Sequence, residues 1–151
     1  MTAEAPRDAR QRKQDTLARF RADDDAWVAT ATGESDTAYL VPLSFLWDGE
    51  AFVLATTESS RTAKNLQKTG KARLAFGPTR DVVIVDGDVE AFTLETVPAN
   101  LAAAFAARHW DPREQSERYA FFRITPHRIL AWREENELAG RLLMKDGHWL
   151  A

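Results

Sequence analysis

The segment from Thr56 to Lys68, TTESSRTAKNLQK, gathers the densest set of groups in the chain that could grip a ligand. Ser59 and Ser60 are residue types that open helices, and Ala63, Leu66 and the basic residues continue one. A helix starting here offers free backbone N–H groups, the hydroxyls of Ser59, Ser60 and Thr62, and the cations of Arg61 and Lys64 within one turn. That set suits a phosphomonoester. A planar guanidinium orients the dianion through charge-assisted hydrogen bonds, and an ammonium adds a point charge. The same residues also describe an ordinary capped helix with a solvated basic face, which Lys68 and Lys71 would extend. Residue chemistry leaves both readings open.

Other chemistry is excluded more firmly. There is no cysteine, so disulfides, thiolate nucleophiles and cysteine-based metal sites are out of reach. His109, His127 and His148 are scattered without metal-ligand spacing. The glycines form neither a dinucleotide fingerprint nor a P-loop, and no nucleophile-elbow motif occurs. Any hard chemistry therefore falls to a cofactor, and no side chain is assigned a catalytic role. A net charge of −3 argues against nucleic acid or an anionic membrane as partner. The N-terminal stretch has no apolar core of a signal peptide, no transmembrane run follows, and a cytoplasmic protein is expected.

The elements that must position these groups are mostly strands. Residues 1–15 form a polar tail expected to fray, and residues 16–151 a single domain. Leu17 and Phe20 put a narrow apolar stripe on a short helix that Asp23, Asp24 and Asp25 end. AWVATAT, AYLVPLSFLW and AFVLATT follow as strands rich in branched and aromatic residues. Asp48-Gly49, Asp86-Gly87 and Asp146-Gly147 each predict a hairpin turn, because Asp-Gly accepts the positive φ of a type I′ turn. Pro42 removes a ladder donor, which places its strand at an edge, at a bulge or against something other than a neighbour. Two helices are predicted, over roughly 60–68 and 98–109, the second with Val97, Leu101, Phe105 and Arg108 on one face. A last long strand, FFRITPHRILAW, is expected to break at Pro126. A meandering antiparallel sheet with a helix over one end describes a mainly β fold, a small barrel.

The second strand with its internal proline, the WDG hairpin, Thr56-Thr57, and Ser60-Arg61 followed by Lys64-Asn65-Leu66 resemble the pyridoxamine 5′-phosphate oxidase-like proteins. A second piece is similar to that family's terminal segment: AWREENELAGRLLMKDGHW, with Trp132, Arg141 and Trp149 in order. The resemblance implies an FMN-binding split β-barrel. It places Ser59, Ser60, Arg61, Thr62, Lys64 and Asn65 around the cofactor phosphate, and Thr56 and Thr57 beside the ribityl chain or ring. It sets the backbone of Val41, Pro42, Leu43 and Ser44 along the ring edge. Trp132 and Arg141 would come from the partner subunit of a homodimer. Trp27, Phe45, Trp47 and Phe76 are apolar positions expected to serve that interface.

Two departures narrow the expectation. Where the oxidase grips its substrate phosphate with arginine and histidine, this chain has Glu137 and Ala139, and a carboxylate would repel that phosphate. Thr62 stands in a lysine place, with Lys64 two positions on, a change shared by branches that use a deazaflavin, coenzyme F-420. The expected function is hydride transfer between an FMN ring and a small substrate that is not pyridoxamine phosphate. The alternatives are a deazaflavin-dependent reductase, or a flavin- or haem-binding protein without turnover.

Overall fold

The computed structural model describes residues 4–32 and 36–151. Helix α1 (Ala9–Ala22) leads into strands β1 (Asp25–Ala31), β2 (Ala38–Trp47) and β3 (Phe52–Thr57), then helix α2 (Arg61–Thr69). Strands β4 (Lys71–Phe76) and β5 (Val82–Phe92), helix α3 (Ala99–Arg108), and strands β6 (Tyr119–Trp132), β7 (Leu142–Lys145) and β8 (His148–Trp149) complete the chain. All pairings are antiparallel in the order β3-β2-β1-β4-β5-β6, and β3 also pairs with β6. That last pairing closes six strands into a barrel and leaves the β7–β8 hairpin attached to its outside.

Alternation along the strands sends Val28, Phe45, Phe52, Leu54, Leu74, Phe76, Val85, Phe122 and Ile124 inward, each 1% exposed or less. The Phe20 ring from α1 enters this core, 5.0 Å from Trp47, 4.8 Å from Phe52 and 5.0 Å from Phe76. Ala63 and Leu66 of α2 join the same cluster. A second cluster lies outside the barrel, where Ala102 and Phe105 of α3 cover Val53, Ala55 and Phe121. Arg108 pins the end of α3 to the Arg21 and Ala22 carbonyls, each 3.1 Å away.

Several expectations are corrected here. The segment expected to fray before Thr16 is helical from Ala9, capped by Asp8, whose carboxylate accepts from the Gln11 N–H at 2.7 Å. Residues 1–3 of that expected tail lie outside the described residues. Arg12, Thr16 and Phe20, spaced four apart, are all buried on one face of α1. The Asp86-Gly87 hairpin does not form, because β5 runs straight through it. Gly87 is needed there for closeness: a Cβ on it would meet Ile124 Cγ2 at 2.5 Å and the Thr125 carbonyl oxygen at 2.9 Å. The register with β6 shifts at that point, Asp86 facing Arg128 and Gly87 facing Pro126, so β6 absorbs Pro126 at a bulge and continues unbroken. The Asp48-Gly49 and Asp146-Gly147 turns do join β2 to β3 and β7 to β8, the latter with φ of 51° and 79°. Strand β4 was not anticipated.

Phe45 and Phe76 are core residues at 1% exposure, so neither is free for an interface, and Trp47 is half-buried with its ring against Phe20. Only Trp27 of that set remains exposed, at 50%. It belongs to an apolar row across the outer face of five strands, Pro42–Trp27–Ala75–Ile84–Leu130, set by the strand register. Leu40, 58% exposed, stands beside that row.

Candidate functional site

Helix α2 begins as its residues dictate. Ser60 is the N-cap, extended at φ −67° and ψ 153°, and its Oγ accepts from the Ala63 N–H at 3.1 Å. The Ser60 N–H donates to the Thr57 carbonyl at 3.0 Å, so the strand turns tightly into the helix. The Thr56 and Ser60 hydroxyls lie 3.4 Å apart across that turn. In the first turn the N–H groups of Arg61 and Thr62 have no intrahelical acceptor. Arg61 and Lys64 are exposed, as is Ser59. Neither cation is ion-paired among the described residues, whereas most arginines of the chain are, such as Arg73 with Asp86 at 2.6 Å and Arg118 with Glu58 at 3.1 Å.

Thr62 and Asn65 do not share that exposed surface. They are 3% and 2% exposed, and the Asn65 amide donates to Thr30 Oγ1 at 3.0 Å inside the barrel end. Asn65 thus anchors α2 to β1 and Thr62 is buried beside it, leaving Ser59, Ser60, Arg61 and Lys64 as the groups available to an anion. A dianionic phosphate matches that set, since it offers acceptors only, the two cations and the free N–H groups only donate, and the serine hydroxyls can donate.

The strand edges beside this helix are open. β3 pairs with β2 only over Phe52–Leu54, opposite Phe45–Trp47, so residues 38–44 of β2 are bonded to β1 alone. The Phe45 N–H donates to Asp24 on the β1 side at 2.9 Å. Because N–H directions alternate along a strand, the Pro42 nitrogen faces the open edge, where no ladder bond is lost. Val41 and Leu43 pack inward against the core, and the Ser44 hydroxyl donates to Asp25 Oδ1 at 2.8 Å. Of the residues expected along a cofactor ring, the structure therefore offers the backbone edge of Val41–Ser44 and not the side chains of Val41 and Leu43. Thr56 and Thr57 are half-buried at the end of β3, opposite Ala120 and Tyr119 of β6.

Trp132 and Arg141 lie together, the guanidinium carbon 5.9 Å from the centre of the indole ring. Arg141 also donates to the Leu138 carbonyl at 3.1 Å. This pair sits at the end of β6 remote from α2: Thr57 faces Tyr119, the first residue of that strand, and Trp132 is the last. Within one chain the two halves of the expected site are separated by the length of β6.

Glu137, expected to repel a substrate phosphate, is turned into the protein and neutralised there. Its side chain is 3% exposed. Oε2 accepts from the Arg7 N–H at 2.9 Å and Arg7 Nε at 3.0 Å, while Oε1 accepts from Arg7 Nη2 at 2.7 Å and the Arg133 N–H at 2.9 Å. The hydrogen bond from the Arg7 guanidinium outweighs burial and holds the Glu137 carboxyl down to about 2. Arg12, 3% exposed, donates to the carbonyls of Glu137 at 3.0 Å and Ala131 at 3.1 Å, and burial lowers its pKa. Asp15 and Asp81 surround the pair, at 3.1 Å from Arg7 and 3.4 Å from Arg133 respectively. Nothing in the sequence reading anticipated Arg7 or Arg12; the four-residue spacing of Arg12, Thr16 and Phe20 was the available signal.

The model of the pyridoxamine 5′-phosphate oxidase family matches residues 14–133, and the chain belongs to that family. General Stress Protein 26 from Bacillus anthracis shares the fold with a TM-score of 0.64 at 16% identity, over 81% of this chain and 95% of that one. HutZ, the heme storage protein from Vibrio cholerae, does so with a TM-score of 0.67 at 10% identity, over 91% and 99%. An F-420 reductase aligns with a TM-score of 0.61 at 15% identity, over 74% and 93%. Among curated proteins, none matches the sequence significantly. No helix among the described residues is long and apolar enough to cross a membrane.

Proposed function

We propose that the protein is a flavin-dependent oxidoreductase that holds FMN by its phosphate at the start of α2. The observation that carries this reading is the unpaired, exposed couple of Arg61 and Lys64 beside the Ser60 cap, at the foot of an open strand edge. When bound, the flavin supplies hydride transfer to or from a small substrate. Arg61 orients the phosphate through its planar donors, Lys64 and Ser59 complete the contacts, and the first-turn N–H groups add the positive end of the helix dipole. The backbone edge of Val41–Ser44 offers donors and acceptors to the rim of the ring, and Thr56 and Thr57 border its chain. No acid or base is assigned, so the protein contributes position and exclusion of water.

A homodimer completes the site in this reading. The apolar row from Pro42 to Leu130 is the face available for it, and a twofold axis through that face would bring the partner's Trp132 and Arg141 to a cofactor they cannot reach within their own chain. An indole with a guanidinium beside it is suited to a flat ring system. The F-420 reductase likeness favours a second reading, a deazaflavin in the same cradle. The HutZ likeness favours a third, a binding protein without turnover. Colour and fluorescence of the purified protein separate the first two. A yellow, flavin-fluorescent protein supports FMN, and a colourless one whose melting is raised only by the deazaflavin supports F-420. Bound cofactor that no donor reduces and reoxidises catalytically would favour the binding protein.

A further inference from the structure

We infer that Arg7 and Glu137 are positioning residues for the Trp132–Arg141 pair, so that the N-terminal segment sets the geometry of the cofactor site. The proposal rests on the reading above only in assigning that pair to the cofactor. Trp132 and Arg141 flank an irregular segment, residues 133–141, that has no strand partner along most of its length. Its base is closed by the Ala131 N–H donating to the Arg141 carbonyl at 2.9 Å. What fills it comes from elsewhere in the chain.

The Glu137 carboxylate reaches back to the Arg133 N–H, next to Trp132, and forward to three donors of Arg7. Arg12 spans the two sides of the segment by donating to Ala131 and Glu137 carbonyls with one nitrogen. Arg7 is itself tied to Arg12, whose Nη2 donates to the Arg7 carbonyl at 3.3 Å. Glu137 is the most buried carboxylate of this group, its side chain 3% exposed against 35% for Asp15 and 28% for Asp81, and a buried carboxylate that loses its cation is driven toward protonation or toward water. Protonation weakens the charge-assisted bond from the Arg133 N–H, and movement toward water breaks it. Trp132 and Arg141 then keep the strand end, the Arg12 bridge and the bond from Arg141 to the Leu138 carbonyl, but lose the tie at Arg133 that fixes the segment beside the indole. The Arg7 side chain is only 10% exposed and makes its three contacts with Glu137 across 130 residues of sequence, so the ordering of the site's far half depends on the residue just before the cap of α1.

The test is a double-mutant cycle in the full-length dimer, with Arg7→Gln, Arg141→Ala and the double variant, reading FMN affinity by fluorescence (the deazaflavin if FMN does not bind). Amide exchange of residues 131–141 is followed in parallel. Arg7→Gln is expected to weaken binding about tenfold when Arg141 is present and less than about twofold in the Arg141→Ala background, with protection lost at Arg133. Arg7→Lys, which keeps the charge but not the fork, is expected to show a smaller effect in the same direction and serves if Arg7→Gln does not fold. Additive losses would show a general destabilisation and overturn the proposal, as would unchanged affinity in Arg7→Gln. If the wild-type protein binds neither cofactor, the cofactor reading fails separately. Amide exchange then decides the latch: lost protection at Arg133 and Glu137 supports it, and unchanged protection overturns it.

Discussion

Acidification should strip away a defined part of the stability through Glu137. Its carboxyl is held at about 2 in the folded chain against an ordinary 4.5, chiefly by the hydrogen bond from Arg7. A depressed carboxyl stabilises the fold fully above its unfolded pKa, and that contribution fades as pH falls toward the folded value. The gap corresponds to about 3 kcal/mol, roughly 300-fold in the folding equilibrium constant. This size agrees with the roughly 3–5 kcal/mol lost when one partner of a buried ion pair is removed. Glu137→Gln should therefore cost about 3 kcal/mol near neutral pH, and the difference from wild type should shrink steadily between about pH 4.5 and about pH 2. Urea unfolding followed by tryptophan fluorescence at several pH values measures this directly. A difference that stays constant across the acid range would refute the reasoning, because it would mean the carboxyl titrates normally in the folded state.

Three other outcomes follow from the fold. Gly87→Ala should destabilise by about 1–3 kcal/mol in urea, since a Cβ there collides with Ile124 and the Thr125 carbonyl; wild-type stability would contradict the close approach. Phe20→Ala should cost about 3–5 kcal/mol, because the ring is buried against three others in the barrel end; a loss under about 1 kcal/mol would mean that α1 is not docked there. Trp27→Glu with Leu40→Glu should convert a dimer to monomers in sedimentation with melting largely retained, as both side chains are exposed in the single chain. An unchanged mass would remove the outer apolar row as the interface.

Much of the barrel was legible because its strands alternate cleanly. AYLVPLSFLW matches β2 end to end, and Ser60 and Pro98 mark the starts of α2 and α3 where N-cap and proline chemistry put them. Asp86-Gly87 misled because the same dipeptide serves two purposes. Its glycine is selected here by the approach of β6 rather than by a turn, and a single chain of residues does not reveal which strand will cross it. Pro126 misled for the complementary reason, since a bulge lets a strand keep a proline. Strand β4, KARLAF, is six residues long and alternates charged and apolar types over only the first four, and it follows a helix without a turn dipeptide. The first half of α1 was hidden by Arg12 and Thr16, polar types that here face inward; for Arg12 the carbonyls of Ala131 and Glu137, distant in sequence, offset that burial. At the candidate site, the residue types were readable but their directions were not. Which of Arg61, Thr62, Lys64 and Asn65 faces out depends on how α2 seats on β1.

The central claim is that Arg61 and Lys64 grip the phosphate of a ring cofactor, and equilibrium binding of FMN and of the deazaflavin to wild type and to Arg61→Ala with Lys64→Ala tests it most directly. The account predicts tight binding of one of them by wild type and a loss of about 100-fold or more in the double variant. Thermal melting of the cofactor-free proteins should coincide, because neither side chain is paired within the fold. Equal affinity in the two proteins, or no affinity of the wild type for either compound, would contradict it.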